Sequence, residues 1–310
     1  MKIALFANTD WFIYNFRKGL ARSLVDNGHE VVLISPPGPY GKKLLELGFR
    51  WEPAPMKRRS LNPLTELTFV FWFYKFLRRE KVDVLHSFTI KSVVYGAMAG
   101  ALAGIKSRVN GIDGLGYVFS SDDLKARLLR PFVGGLLKLA CRGGRTRVVL
   151  LNRDDVKRFV TSGFAKESQI RLIQGAGVDL SRFSVHAYQS KDNPKRVLLA
   201  ARLLWDKGIG EYVEAARQLL DRGADIEFLL AGNPDPGNPA AIEGKVVEGW
   251  VEEGLINWLG HVDDMPSLLK TIDIVVLPSY REGLPTTLIE AAACGLPIVT
   301  TNAPGCRDVV

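Results

Sequence analysis

Cysteine is scarce in this 310-residue chain: Cys141, Cys294 and Cys306 are odd in number and lack the paired spacing of a metal site. A disulfide framework is set aside, and reduced structural thiols in a cytosolic protein are expected. Long apolar runs are missing as well. The richest segment, LTFVFWFYKFL (67–77), is too short to span a bilayer. It reads as a packed helix or, with Arg78 and Arg79 behind it, as an interfacial one. The start, MKIALFANTDW, has too little apolar sequence before Asn8, Thr9 and Asp10 for a signal peptide and reads as a first strand, so export is not expected. A nicotinamide-dependent oxidoreductase would need Gly-x-Gly-x-x-Gly after a strand with an acid about 20 positions on, and neither GIDGLG (111–116) nor GAGVDL (175–180) has that spacing. No Asp-x-Asp element occurs anywhere.

What is present is a regular alternation. Short apolar runs such as IALFAN (3–8), HEVVLIS (29–35), VDVLHSF (82–88), SRVNGI (107–112), RVVLLN (147–152) and QIRLIQ (169–174) are separated by helical patterns across 14–27, 63–79, 91–103, the basic region after 124 and 153–162. A stretch rich in Ser, Asp, Asn and Pro follows, and then a second series begins: RVLLAAR (196–202), IEFLLAG (226–232), INWLGH (256–261), IVVLPS (274–279) and PIVTT (297–301), with helices expected over 208–222, 239–253, 265–272 and after 285. Parallel strands joined by crossover helices explain both series. The expectation is α/β: two doubly wound, Rossmann-like domains over 1–177 and 195–310 with a linker at 178–194. Ligands should then meet the loops that follow the strands.

Charge divides the chain. Residues 1–193 carry 31 Lys and Arg against 16 Asp and Glu, a balance of +15, whereas 194–310 carry 10 against 17, a balance of −7. The first half therefore suits an anionic partner. Its densest part, LKARLLRPFVGGLLKLACRGGRTR (124–147), has seven cations, no acid and interleaved Leu and Phe. No zinc spacing, aromatic RNA-binding signature or helix-turn-helix supports nucleic acid, so an anionic membrane surface and a plainly solvated helix face remain as the two readings.

Two constellations sit at strand ends in the second half. In AARLLWDKG, Arg202 closes a strand and Lys207 precedes Gly208 and the next helix, so both cations project from the carboxyl edge, where they could neutralise a diphosphate leaving group. In YREGLPTTLIE, Glu282 lies in a loop, Pro285 suits the first helical position, and Glu290 falls about one turn inside a helix written otherwise in Leu, Ile and Ala. The helix terminus favours an anion, and a carboxylate accepts hydrogen bonds from paired hydroxyls, so Glu290 would suit a ribose and Glu282 a hexose. Surface cations and a Glu290 capped by some Arg or backbone donor are the plainer alternatives.

With ARLLWDKG, the EGLPTTLIE glutamates with seven residues between them and the GHEVVLIS strand end, nearly the whole chain resembles the retaining nucleotide-sugar glycosyltransferases of family 4, which have the GT-B fold of two facing Rossmann-like domains. The resemblance implies catalytic roles for Arg202, Lys207, Glu282 and His86, the last closing VDVLHSF and facing the donor and acceptor sugars. It implies donor contacts from Glu290, Gly283, Leu284, Pro285 and Val262. Some subgroups have a Gly-rich loop after the first strand, but here that position reads NTDWFIYNFRKG. That variant, with GIDGLGYVF (111–119), resembles members that extend polyprenyl-diphosphate-linked glycans, making Trp11, Tyr14, Asn15 and Arg17 acceptor-side candidates. Expected partners are a UDP-sugar, such a lipid-linked glycan and an anionic membrane surface, with no nucleic acid, no cofactor and no metal. The expected location is cytoplasmic, peripheral on the inner face of the cytoplasmic membrane. The family continues past PGCRDVV, so the chain reads as a fragment. A GT-B nucleotide-sugar epimerase and a non-catalytic membrane-surface binding protein are the alternatives.

Overall fold

The first strand shows why the sheets form. In β1 (Lys2–Phe6), Ala4 and Phe6 are buried against one set of helices and Ile3 and Leu5 against another, the period-2 alternation of a strand covered on both faces. The computed structural model describes residues 1–58, 60, 62–120, 124–185 and 194–310. These form two compact units, Met1–Ala176 and Gly177–Val310.

In the first unit, β1 is joined by β2 (Glu30–Ser35), β3 (Arg50–Pro53), β4 (Val84–Phe88), β5 (Ser107–Ile112), β6 (Thr146–Leu150) and β7 (Ile170–Leu172). All pairings are parallel, in the order β3-β2-β1-β4-β5-β6-β7. The helices are α1 (Asp10–Phe16), α2 (Lys18–Asp26), α3 (Pro39–Glu46), α4 (Pro63–Arg79), α5 (Ile90–Leu102), α6 (Gly116–Ser120), α7 (Leu124–Ala140) and α8 (Arg153–Thr161). Phe69, Phe73 and Phe76 of α4 are buried with Phe6, which realises the packed-helix reading of 67–77 on that face. Leu64, Leu67 and Phe71 of the same helix remain exposed.

In this unit two expectations need correction. The helix expected over 14–27 is two helices, interrupted at Arg17, whose φ of −128° leaves the helical range. The stretch between 36 and 62, without assigned elements in the sequence reading, contains α3 and β3, the edge of the sheet.

The second unit has β8 (Lys195–Ala200), β9 (Ile226–Ala231), β10 (Asn257–Gly260), β11 (Ile274–Leu277) and β12 (Ile298–Thr300), again all parallel, in the order β10-β9-β8-β11-β12. Its helices are α9 (Ile209–Asp221), α10 (Gly244–Glu252), α11 (Met265–Leu269) and α12 (Thr286–Ala293). The helix expected from 239 starts only at Gly244, and the preceding loop pairs with the loop after β8 through Leu204 and Ala241. Of the expected linker, residues 186–193 lie outside the described residues, while Val178 and Phe183 pack into the core of this unit.

Candidate functional site

In the second sheet the chain leaves β8 toward β9 on one side and returns at β11 on the other, so the loops after β8 and β11 diverge at a topological switch point. After β8, Leu203 and Leu204 are buried and anchor the loop, a 3₁₀ turn spans Trp205–Lys207, and Gly208 adopts φ +72°. A Cβ on Gly208 would stand 2.2 Å from the Pro278 carbonyl oxygen, so only glycine lets this turn lie against the end of β11. The β11 loop is fixed through its main chain. Tyr280 N donates to Asp206 O at 3.1 Å and Glu282 N to Pro304 O at 2.9 Å. The first turn of α12 is held to β8 by Thr287 Oγ1, which donates to Ala200 O at 3.0 Å.

These bonds bring Lys207 and Glu282, 75 residues apart, into a direct ion pair with both side chains largely buried. Ser279 Oγ donates to the same carboxylate oxygen at 2.7 Å. Gly283 and Pro285 are buried beside it and Leu284 is half-buried. Pro285 is the N-cap of α12 rather than its first helical residue. Arg202 is instead paired with Asp235 in the loop after β9 at 2.8 Å, with its own side chain more than half exposed. Sequence reasoning overlooked Asp235, although an acid soon after a strand in AGNPDPG was a readable signal. Val262 is half-buried against the core near the end of β10.

Glu290, in the second turn of α12, has no hydrogen-bond or ion-pair partner among the described residues; no arginine or backbone donor caps it. Burial raises its carboxyl to about 7, with the charge of Arg182 opposing. The folded chain thus holds a proton that the unfolded chain, near 4.5, has released, and it loses stability as pH rises from about 4.5 through 7. Glu290→Gln should flatten that loss. Urea midpoints of the two proteins across this window check it, and parallel curves would assign the titration to another group.

The first sheet has its own switch point between β1 and β4. Thr9 caps α1 by accepting from Phe12 N at 3.2 Å. Buried Asp10 accepts from Trp11 N, Tyr40 N and Gly41 N at 2.7–2.9 Å, so it joins the loops after β1 and β2. At the break between α1 and α2, Arg17 turns inward, pairs with Asp113 at the end of β5, and lies over the rings of Phe88 and Phe12 at 4.5 and 5.0 Å. His86 stands by the same group: its ring is 4.1 Å from that of Phe88, and burial, with the Arg17 charge, lowers its pKa to about 3, so the imidazole is neutral. Burial pushes the Asp113 carboxyl up and Arg17 opposes it. Arg17 Nε, His86 Nε2 and Asp113 Oδ2 are buried without hydrogen-bond partners.

Arg17 and His86 are therefore brought together, and Asp113, quoted only within GIDGLGYVF, joins them. The other three acceptor-side candidates lie apart from this cluster in their contacts. Trp11 packs edge-on against Phe16, Tyr14 against Tyr40, and the Asn15 amide donates to Trp11 O at 3.0 Å.

Two family models cover most of the chain: a glycosyl transferase 4-like domain over residues 16–176 and glycosyl transferases group 1 over 194–310. The chain belongs to the group 1, family 4-like glycosyltransferases. This glycosyltransferase is 31% identical over 321 residues to the N,N'-diacetylbacillosaminyl-diphospho-undecaprenol alpha-1,3-N-acetylgalactosaminyltransferase of Campylobacter jejuni, an alignment covering all of this chain and 83% of the relative. It is 26% identical to the UDP-Gal:alpha-D-GlcNAc-diphosphoundecaprenol alpha-1,3-galactosyltransferase of Escherichia coli over 81% of this chain and 66% of that protein. Among solved structures, Anabaena HepE in complex with UDP-glucose matches with a TM-score of 0.76 at 19% identity, over 100% of this chain and 83% of its own. WaaG, a glycosyltransferase involved in lipopolysaccharide biosynthesis, matches with a TM-score of 0.70 at 15% identity, over 98% and 81%. At such identities the likeness is one of fold, and that fold is GT-B, with two Rossmann-like units. No helix among the described residues is long and apolar enough to cross a membrane.

Proposed function

We propose that this glycosyltransferase moves a sugar from a UDP-sugar to a polyprenyl-diphosphate-linked glycan with retention of anomeric configuration. The observation that carries the donor half is the Lys207–Glu282 pair at the second switch point, with unpaired Glu290 in the helix beyond it. Lys207 and the α12 terminus neutralise the diphosphate as the bond to the sugar breaks, without a metal. Glu282 takes sugar hydroxyls, Gly283, Leu284 and Pro285 line the donor, and Glu290 takes the ribose. Arg202, held by Asp235, stands ready to exchange that partner for phosphate oxygens. Val262 lies by the base.

For the acceptor half, the names of the relatives supply the lipid diphosphate. The Arg17–Asp113 pair is close to neutral and, with His86, suits hydroxyl groups better than a second diphosphate. The basic balance of the first unit supports a peripheral position on an anionic membrane. Exposed Leu124, Leu128, Phe132 and Leu139 on α7 and Leu64, Leu67 and Phe71 on α4, each on a helix that carries Lys or Arg, support that placement.

Glu290→Ala tests the reading directly. Above pH 7, where Glu290 is ionised, loss of its carboxylate as acceptor for ribose hydroxyls should weaken UDP binding by about 1.5–3 kcal/mol. Titration calorimetry with UDP measures it, and unchanged affinity would return Glu290 to a purely structural role.

A further inference from the structure

A cavity of about 410 Å³ opens on the first unit, and none of the residues assigned to sugar transfer is among those that line it. Arg127, Arg130 and Lys138 of α7 and Arg158 of α8 line it, with the rings of Phe119 and Phe164 among its apolar walls and no carboxylate among the described residues that line it. Arg130 Nε and Arg158 Nη1 donate to the carbonyls of Val118 and Phe119 at 3.0 and 3.3 Å, which orients them at the α6 end. Arg127 and Lys138 have no hydrogen-bond or ion-pair partner among the described residues. They are eleven residues apart, about three turns, and so share one side of the helix.

Between them α7 is cut away. Gly134 and Gly135 both line the cavity; a Cβ on Gly134 would press on Phe164 at 3.2 Å, whereas one on Gly135 would meet nothing within 4 Å. A long helical side chain leans toward the helix N-terminus, which carries Lys138 over this notch. The exposed row Leu124, Leu128, Phe132 and Leu139 runs along the adjoining side of the same helix. Cations beside a solvent-facing apolar row match a phosphodiester beside its acyl chains.

We propose that this notch seats one anionic phospholipid headgroup, with its phosphate among the four cations and the Leu–Phe row in the acyl boundary. The proposal rests on the peripheral-membrane reading and adds to it a discrete, saturable site.

Gly135→Glu tests it by placing a carboxylate in the notch, and helix propensity favours the change. Gly144→Glu adds the same charge outside the cavity, also with nothing within 4 Å of the new Cβ. Thermal unfolding confirms that both proteins are folded. Short-chain dihexanoylphosphatidylglycerol, kept below its micelle concentration and followed by NMR shifts, should saturate the wild type and Gly144→Glu but not Gly135→Glu. Affinity for phosphatidylglycerol vesicles should fall about fivefold further in Gly135→Glu than in Gly144→Glu, the effect of cancelling one basic side chain near the surface.

Equal losses in the two variants would overturn the notch and leave diffuse attraction, with the peripheral reading intact. Saturation by the soluble lipid without vesicle binding would uphold the notch and sink the peripheral reading. Inorganic phosphate binding as tightly as the lipid, or a single-stranded oligonucleotide displacing it, would overturn the assignment to a lipid.

Discussion

Lys207→Met should lower sugar transfer by about 10²–10³-fold, the effect expected from losing one preorganised group that stabilises developing charge. The ammonium is already held at the carboxyl edge by Glu282, so in the proposed reaction it would need no reorganisation as the diphosphate leaves. The same substitution costs stability for a separate reason. Glu282 is largely buried, and without Lys207 it keeps Ser279 as a donor but loses its counter-charge. The double variant Lys207→Met, Glu282→Gln separates the two effects. With no charge left buried, its stability should recover toward wild type while turnover stays low. Steady-state kinetics with a UDP-sugar and a lipid-linked acceptor, alongside urea unfolding, give both quantities. A fall of less than tenfold for Lys207→Met would mean that other groups carry the diphosphate charge.

Gly208→Ala should be the most damaging methyl in the second unit. The residue sits at φ +72°, and the new Cβ would lie 2.2 Å from a main-chain carbonyl oxygen, which cannot swing aside as a side chain can. Left-handed strain and overpacking contribute about 1–3 kcal/mol each, so a loss of about 3 kcal/mol or more is expected. Melting should fall by several degrees, and UDP affinity should drop with it because the turn carrying Lys207 is displaced from β11. Gly249→Ala, at a helical position where a Cβ meets nothing within 4 Å, is the control and should be neutral or better. Similar melting of the two variants would show that the turn yields more readily than its geometry suggests.

Most of the strands were legible because fully covered parallel strands appear as apolar runs of five or six residues bounded by polar ones. β3 escaped because RWEP is four residues long, at the sheet edge, with no fully buried side chain. The break at Arg17 could not be read from local pattern, since what draws the side chain out of register is Asp113, 96 residues away. Residue type at strand ends pointed to Lys207, Arg202 and Glu282, but not to their pairing. That Lys207 meets Glu282 while Arg202 meets Asp235 depends on strand order, which places the loops of β8, β9 and β11 side by side. Glu290 stood out because an acid among Leu, Ile and Ala conflicts with its neighbours, and such local conflicts concentrate at functional positions.

The main-chain bonds from Tyr280 to Asp206 and from Glu282 to Pro304 have a consequence for divergence. They locate Lys207 and Glu282 through groups that every non-proline residue possesses, so the identity of a neighbouring side chain is not needed to hold the geometry. Tyr280 itself is 63% exposed. In the proposed reaction, replacing the Tyr280 side chain would cost the bond of its hydroxyl to Glu211 but leave the groups that face the diphosphate in register, so the surface around them can change in small, individually tolerated steps.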